Sequence, residues 1–225
     1  MNTIKARLQA ILHDIAQAKS ATQNVTLVAV SKTQPACVIR EAFNAGQTQF
    51  GENYVQECLT KQQSLNDLAI EWHFIGPIQS NKTQDIAQHF SWVHSVDRLK
   101  IAKRLGEARP KHLPPLQICI QTNISNETTK SGVSIDQIEA LASAISGFPN
   151  LTLRGLMAIP APNQSFEKQH AQYATIKDVF DRLNAKGFKL DTLSIGMSDD
   201  YVVAIEEGAT IVRIGSKLFG ARNAN

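Results

Sequence analysis

The sequence predicts a (β/α)8 barrel formed by one domain over residues 1–225, and three observations carry that expectation. The length suits one α/β barrel with a single sizeable core. Short β-branched or apolar runs alternate with longer helical patterns, as in a parallel sheet wrapped by helices. No G-x-G-x-x-G follows the first strand, which argues against the competing open, doubly wound sheet.

Taken in order, the elements account for the whole chain. Residues 1–21 carry Ile4, Leu8, Ile11, Leu12 and Ile15 at helical spacing, interrupted by Lys5, Arg7, His13 and Asp14. That pattern predicts an amphipathic helix packed on the domain, since a secretory leader needs an unbroken apolar stretch. Strands follow at 25–31, 47–51, 71–75, 92–95, 116–122, 152–158, 192–196 and 210–214. Helices are expected at 36–45, 54–64, 83–90, 97–108, 135–146, 165–185 and 199–207, with the extra N-terminal helix supplying the eighth. The Pro- and Asn-containing segment 160–165 reads as a βα loop, and no linker or composition shift marks a second domain.

Composition narrows the function classes. With 43% hydrophobic and 19% charged residues the chain is ordinary globular protein, far from the signature of disorder. The net charge of +3 arises from 23 basic and 20 acidic residues scattered in both signs, so nucleic acid is not an expected partner and a small anionic ligand is. No apolar run approaches the roughly 20 residues of a spanning helix, so no membrane is expected either. Cys37, Cys58 and Cys119 show no C-x-x-C pairing and read as reduced and structural, which fits a cytoplasmic protein.

Barrels place their working residues at the C-terminal ends of the strands. Those positions here are polar. Lys32 follows the apolar run Val25-Thr26-Leu27-Val28-Ala29-Val30, so its amine emerges at the mouth of a core strand. Such placement lowers a lysine pKa and readies the neutral amine to attack an aldehyde, whereas the plainer alternative is a strand-end lysine that snorkels to water. Barrels often bind phosphate with the loops after strands seven and eight. Gly196-Met197-Ser198 and Gly215-Ser216 occupy those loops; Ser198 is expected to cap the following helix, and Gly215 lets backbone approach an oxyanion. Each feature alone also reads as a plain cap or turn. Together, opposite Lys32, they describe a site for an aldehyde that carries a phosphate. Arg213, two residues before Gly215, shares its face of the strand and points inward, either to the pyridine nitrogen of pyridoxal phosphate or into a structural salt bridge.

The strand ends also carry a resemblance. Leu27-Val28-Ala29-Val30-Ser31-Lys32, Phe50-Gly51-Glu52-Asn53-Tyr54-Val55-Gln56-Glu57 and Trp72-His73-Phe74-Ile75-Gly76-Pro77-Ile78-Gln79-Ser80-Asn81-Lys82 are followed by His94-Ser95-Val96-Asp97, Asn123-Ile124-Ser125, Lys130-Ser131-Gly132 and Arg154-Gly155-Leu156-Met157. Gly196-Met197-Ser198 and Val212-Arg213-Ile214-Gly215-Ser216 with Phe219-Gly220 complete the series. In this order the motifs resemble the pyridoxal phosphate homeostasis protein family, whose barrel is similar to the N-terminal domain of alanine racemase. The resemblance implies that Lys32 is the Schiff-base lysine, that Ser198, Gly215 and Ser216 hold the phosphate, that Arg213 faces the pyridine nitrogen and that Asn53 lies beside the ring. It also draws attention to Lys82 and Lys130 along the cofactor path, although solvated surface lysines are an equal reading. One departure is Ser216-Lys217-Leu218, where the family usually reads Thr-Ala-Ile; serine keeps the hydroxyl, and Lys217 is expected to point outward.

The remaining polar residues suggest no other chemistry. The six histidines lack ligand spacing, so no metal site is expected. Asp199 and Asp200 fit the first turn of a helix, and Tyr54 and Tyr201 are the tyrosines expected near the mouth. The resemblance implies a carrier that holds pyridoxal 5′-phosphate (PLP) reversibly and buffers it or passes it to apo PLP-dependent enzymes; with no domain-sized dimer arm in the pattern, a monomer is expected. The alternative is a PLP-dependent racemase, which needs a second acid/base on the far face of the substrate. In alanine racemase that group comes from an additional domain, for which eight βα units leave no residues.

Overall fold

The computed structural model describes residues 3–124, 131–160 and 165–220. Its elements run α1 (Ile4–Ala18), β1 (Thr26–Val30), α2 (Ala36–Asn44), β2 (Gln49–Glu52), α3 (Val55–Ser64), β3 (Glu71–Phe74), α4 (Thr83–His89), β4 (Trp92–Val96) and α5 (Leu99–Ala108). They continue with β5 (Leu116–Thr122), α6 (Ile138–Ser146), β6 (Leu151–Ala158), α7 (Phe166–Ala185), β7 (Thr192–Ser194), α8 (Tyr201–Glu206), β8 (Ile211–Ile214) and α9 (Ser216–Phe219). The strands pair in parallel in sequence order, and β1 pairs with β8 to close the barrel. The (β/α)8 architecture expected from the alternation is therefore present.

The N-terminal helix takes the place the sequence suggested. Thr3 caps α1 by accepting the Ala6 N–H, and Ile4, Leu8, Ile11 and Ile15 bury its apolar face. It packs against α2, α8 and α9, covering a part of the ring that α9, a single turn, is too short to cover. That last turn was not among the expected helices. β7 is shorter than expected and stops at Ser194, because Gly196 turns the chain with φ +90° while its Cα hydrogens face Ala204 and Tyr201, where a Cβ would lie 2.6 Å from the Ala204 Cβ.

Two unlike cores result. A continuous apolar layer fills the space between strands and helices, drawing on Leu27, Phe50, Phe74, Ile86, Leu105, Ile118 and Leu156 among many others. Inside the barrel a small separate cluster of Val28, Trp92, Cys119, Met157 and Ile211 remains. The period of two along each strand separates these sets: Leu27 and Ala29 face the helices and Val28 faces the lumen. The lumen shares its volume with buried polar residues, and those lead to the site.

Candidate functional site

Strand order gathers the expected residues into one sector. Lys32 follows β1, Arg213 lies on β8, Gly215 and Ser216 follow it, Ser198 follows β7 and Asn53 follows β2, and β7, β8, β1 and β2 are consecutive around the barrel. The register pairs Ala29 with Ile214 and Val30 with Gly51, so the ends of β8, β1 and β2 are level. A Cβ on Gly215 would lie 3.2 Å from the Val30 carbonyl oxygen, which shows how closely the β8 exit packs on the β1 exit.

Lys32 is half-buried in a turn whose next residue, Thr33, has φ +65°. A β-branched residue in the left-handed region is strained and persists only when its surroundings hold it. The holding group is Lys61 on α3. Lys61 is 6% exposed, and its ammonium donates to the Ser31 carbonyl at 2.7 Å, to Glu52 Oε1 at 2.7 Å and to Glu57 Oε1 at 2.6 Å. Glu52 Oε1 also accepts the Ser31 hydroxyl at 2.7 Å, and Glu57 Oε1 accepts the Thr33 N–H at 2.6 Å. The residues before and after Lys32 are thus tied to one buried charged cluster. Burial raises the Glu52 carboxyl above its ordinary range, and Lys61 works against that rise. Sequence reasoning missed this clamp: Glu57 and Lys61 have the spacing of a surface ion pair, and only the fold brings Glu52 beneath them.

The two loops expected to hold a phosphate are joined by Ser198, though not as expected. Met197 N–H is capped by Asp200 Oδ1 at 2.6 Å, and Ser198 makes no cap on α8. Its hydroxyl oxygen instead accepts the backbone N–H groups of Gly215 and Lys217 at 3.3 Å each. Two amides converging on one oxygen form a cradle suited to an oxyanion, and these two are held by long contacts to a neutral hydroxyl. Ser216 is exposed between them, at the head of α9. Asp200 is turned away, its other oxygen accepting the buried Tyr173 hydroxyl at 2.7 Å, so that carboxylate is spoken for by structure. Lys217 does point outward, to the Tyr201 hydroxyl at 2.7 Å and to Asp14. Tyr201, considered for the mouth, is buried against α1 with its hydroxyl on Asp14.

Arg213 faces the lumen and is 4% exposed. It donates to the Ser194 carbonyl at 2.6 Å, the Ser194 hydroxyl at 2.7 Å and the Ala158 carbonyl at 3.1 Å. Its partners are therefore neutral, and among the described residues no carboxylate lies within ion-pair distance of it. Behind Ser194 stand His94, whose Nδ1 is 2.8 Å from that hydroxyl, and His73, whose Nδ1 is 2.9 Å from His94 Nε2. Burial pushes His94 well below the ordinary histidine range, with His73 and Arg213 adding to the effect; burial alone pushes His73 down to about 3. Among the described residues no group of three or more His, Cys, Asp or Glu side chains is placed to hold a metal ion.

Asn53 stands at the edge of the sector. It lines a mouth cavity of about 340 Å³ together with Ile75, Pro77, Gln121, Thr122 and Ile159. Among the described residues its Oδ1 and the Thr122 Oγ1 are buried without a hydrogen-bond partner. Buried polar atoms in native proteins are normally satisfied, so two orphans on one cavity mark a place for water or a ligand. The loops here are tightly fitted: a Cβ on Gly76 would lie 2.2 Å from the Asn53 carbonyl oxygen. The cavity wall does not include Lys32, Ser198 or Arg213, which lie toward the β7–β8–β1 side. Lys82 lines a neighbouring cavity with Asn53, Tyr54 and Gln79, whereas Lys130 lies outside the described residues, as do positions 161–164 of the expected βα loop. No helix among the described residues is long and apolar enough to cross a membrane.

An amine, a pair of converging amides, an inward guanidinium and an unsatisfied amide oxygen fit a phosphorylated, aromatic aldehyde. Known proteins point the same way. The family model for the alanine racemase N-terminal domain matches residues 6–223. The pyridoxal phosphate homeostasis protein of Pseudomonas aeruginosa is 56% identical over 97% of this chain and 94% of its own length, and that of Escherichia coli is 47% identical over 99% and 98%. Among solved structures, PipY of Synechococcus elongatus, determined with PLP bound, is 35% identical over 97% of this chain and all of its own, with a TM-score of 0.87. Alanine racemase of Corynebacterium glutamicum, at 17% identity and a TM-score of 0.71, shares the fold over 96% of this chain and 62% of its own. With its barrel, its ordered strand-end motifs and these matches over nearly its whole length, the chain belongs to the pyridoxal phosphate homeostasis protein family.

Proposed function

We propose that this chain, as one domain over residues 1–225, binds pyridoxal 5′-phosphate reversibly through Lys32 and buffers it or delivers it to apo PLP-dependent enzymes. The reading takes it as a cytoplasmic, monomeric carrier without robust catalysis. The observation that carries it is the gathering of the β7, β8, β1 and β2 exits in one sector: the level ends of β8, β1 and β2 lead to Gly215, Lys32 and Asn53, the loop after β7 reaches the β8 exit through the Ser198 contacts, and Arg213 is buried on β8. When bound, PLP supplies an aldehyde that an amine can capture with loss of water and release by hydrolysis.

Within that reading each residue has a task. Lys32 provides the amine, held by a turn that the Lys61 clamp fixes on both sides. The amides of Gly215 and Lys217, with the Ser198 and Ser216 hydroxyls, receive the phosphate in place of the long Ser198 contacts. Arg213 remains a pure donor toward the pyridine nitrogen, which keeps that nitrogen unprotonated and the ring a weak electron sink. Asn53 offers its unmet Oδ1 beside the ring.

One further observation favours a carrier over a racemase. Two-base racemisation asks for an acid/base on the face opposite the lysine. Of the three tyrosines, Tyr173 is bound to Asp200, Tyr201 is bound to Asp14 and Lys217, and Tyr54 is 57% exposed. Protein loaded with PLP, freed of excess cofactor and mixed with an apo PLP-dependent enzyme is expected to restore that enzyme's activity, while showing no turnover of D- or L-amino acids alone. Racemisation at ordinary enzymatic rates, about 1 per second or faster, would overturn the carrier reading.

A further inference from the structure

The polar side chains inside the barrel form one line across it. Glu71 opens β3 at the N-terminal end of the barrel, His73 follows on the same face, His94 is on β4, Ser194 ends β7 and Arg213 is on β8. The contacts run Arg213 to Ser194 Oγ at 2.7 Å, Ser194 Oγ to His94 Nδ1 at 2.8 Å and His94 Nε2 to His73 Nδ1 at 2.9 Å. His73 Nε2, buried without a hydrogen-bond partner among the described residues, then lies 4.0 Å from Glu71 Oε2. Trp92 stacks on His73 with ring centroids 5.5 Å apart and planes 8° apart, and its indole N–H donates to Glu71 Oε1 at 3.0 Å.

The chemistry of the ends fixes the direction of every proton. A guanidinium only donates, so Ser194 Oγ accepts from Arg213 and has its own hydrogen left to give. If Ser194 gives it to His94 Nδ1, His94 carries its proton on Nε2 and donates to His73 Nδ1. His73 then carries its proton on Nε2, aimed at the Glu71 carboxylate. The reverse arrangement would leave the Ser194 hydrogen without an acceptor on this line and turn a bare imidazole lone pair toward a carboxylate. Both penalties fall inside a buried space where unmet polar groups are costly. The line is therefore polarised from a cation to an anion, with two neutral imidazoles between.

We propose that His94 and His73 are positioning residues for the cofactor site: through Ser194 they hold the Arg213 guanidinium, a donor in any orientation, in the one orientation that would serve the pyridine ring. This rests on the PLP reading above. Both histidines would act through Ser194 and Arg213 and not by contact with the cofactor.

The test has a part that needs no cofactor. Long-range nitrogen–proton NMR of the free protein, labelled at histidine, is expected to show His73 and His94 neutral and as Nε2–H tautomers between about pH 5 and 8. An Nδ1–H tautomer at either residue, or protonation within that range, would overturn the inference. The second part reads the bound cofactor. Ser194→Ala removes only the hydroxyl, and His94→Leu removes both ring nitrogens. Each is expected to shift the absorption maximum of bound PLP and to raise Kd at least about tenfold. His94→Gln, which keeps an acceptor and a donor, is expected to restore much of the wild-type spectrum. Should the leucine variant fail to fold, Ser194→Ala and His94→Gln still decide the matter. Wild-type spectrum and affinity in Ser194→Ala, with the Lys32 adduct intact, would sink the positioning role alone. A wild-type protein that takes up no PLP would sink the parent reading, and the positioning role with it.

Discussion

The outer and inner walls of the barrel are made from the same strands and do opposite work. Outward residues such as Leu27, Phe50, Ile118 and Leu156 merge with the helices into one apolar layer. Inward residues leave a small apolar plug and give the rest of the lumen to His73, His94, Ser194 and Arg213. Stability is therefore concentrated outside, where apolar area is removed from water, and the inner wall can carry polar groups that are partnered mainly by one another and by the barrel backbone. Lys61 is the exception that joins the two: it is buried on the outer side, yet it clamps the turn that presents Lys32 at the mouth.

Breaking that exception has the largest expected effect. Lys61→Met leaves Glu52 buried without its counter-ion and should cost about 3–5 kcal/mol in urea unfolding, and it should also weaken PLP uptake by releasing Thr33. If stability falls and uptake does not, the clamp serves the wall only. A purely outer change sharpens the contrast: Leu105→Ala, fully buried on α5, should cost about 2–5 kcal/mol while leaving the spectrum of bound PLP unchanged.

The inner wall makes a smaller, pH-dependent contribution. Both lumen histidines have folded pKa values far below the unfolded value of about 6.5, that of His73 being about 3. As pH falls through about 6.5 the unfolded chain takes up protons that the folded chain refuses. Stability should then fall with falling pH, each histidine adding a slope of up to about 1.4 kcal/mol per pH unit until its folded pKa is reached. The difference between wild type and His94→Gln, followed by urea unfolding from about pH 7 to 5, should show one proton fewer in the variant. Equal slopes would mean that His94 is not held neutral. Smallest of all, Asn53→Ala should leave stability nearly unchanged and raise the Kd for PLP about tenfold, the effect of one lost hydrogen bond; an unchanged Kd would remove Asn53 from the site.

Much of this was legible in the sequence because the barrel's two periodicities are strong. Alternation of strand and helix carries the architecture, and the strand-end rule points to Lys32, Ser198, Arg213 and Gly215. Boundaries were less legible where a turn residue overrides an apolar run, as at Gly196 beyond β7. The capping role expected of Ser198 was not legible because Asp200 accepts the Met197 N–H instead, and only the fold brings the Gly215 and Lys217 amides to the Ser198 hydroxyl. The lumen line was hidden for a different reason. His73 and His94 sit among Trp72, Phe74, Trp92 and Val93, and a lone histidine in an apolar strand says nothing of its face until the register is known.

The central claim is that Lys32 is the residue that captures PLP. Protein incubated with PLP, reduced with borohydride and digested should yield one major pyridoxyl-modified peptide, carrying Lys32, and Lys32→Ala should yield none in its place. A major adduct on Lys82, Lys61 or another lysine, or undiminished uptake by Lys32→Ala, would contradict the account.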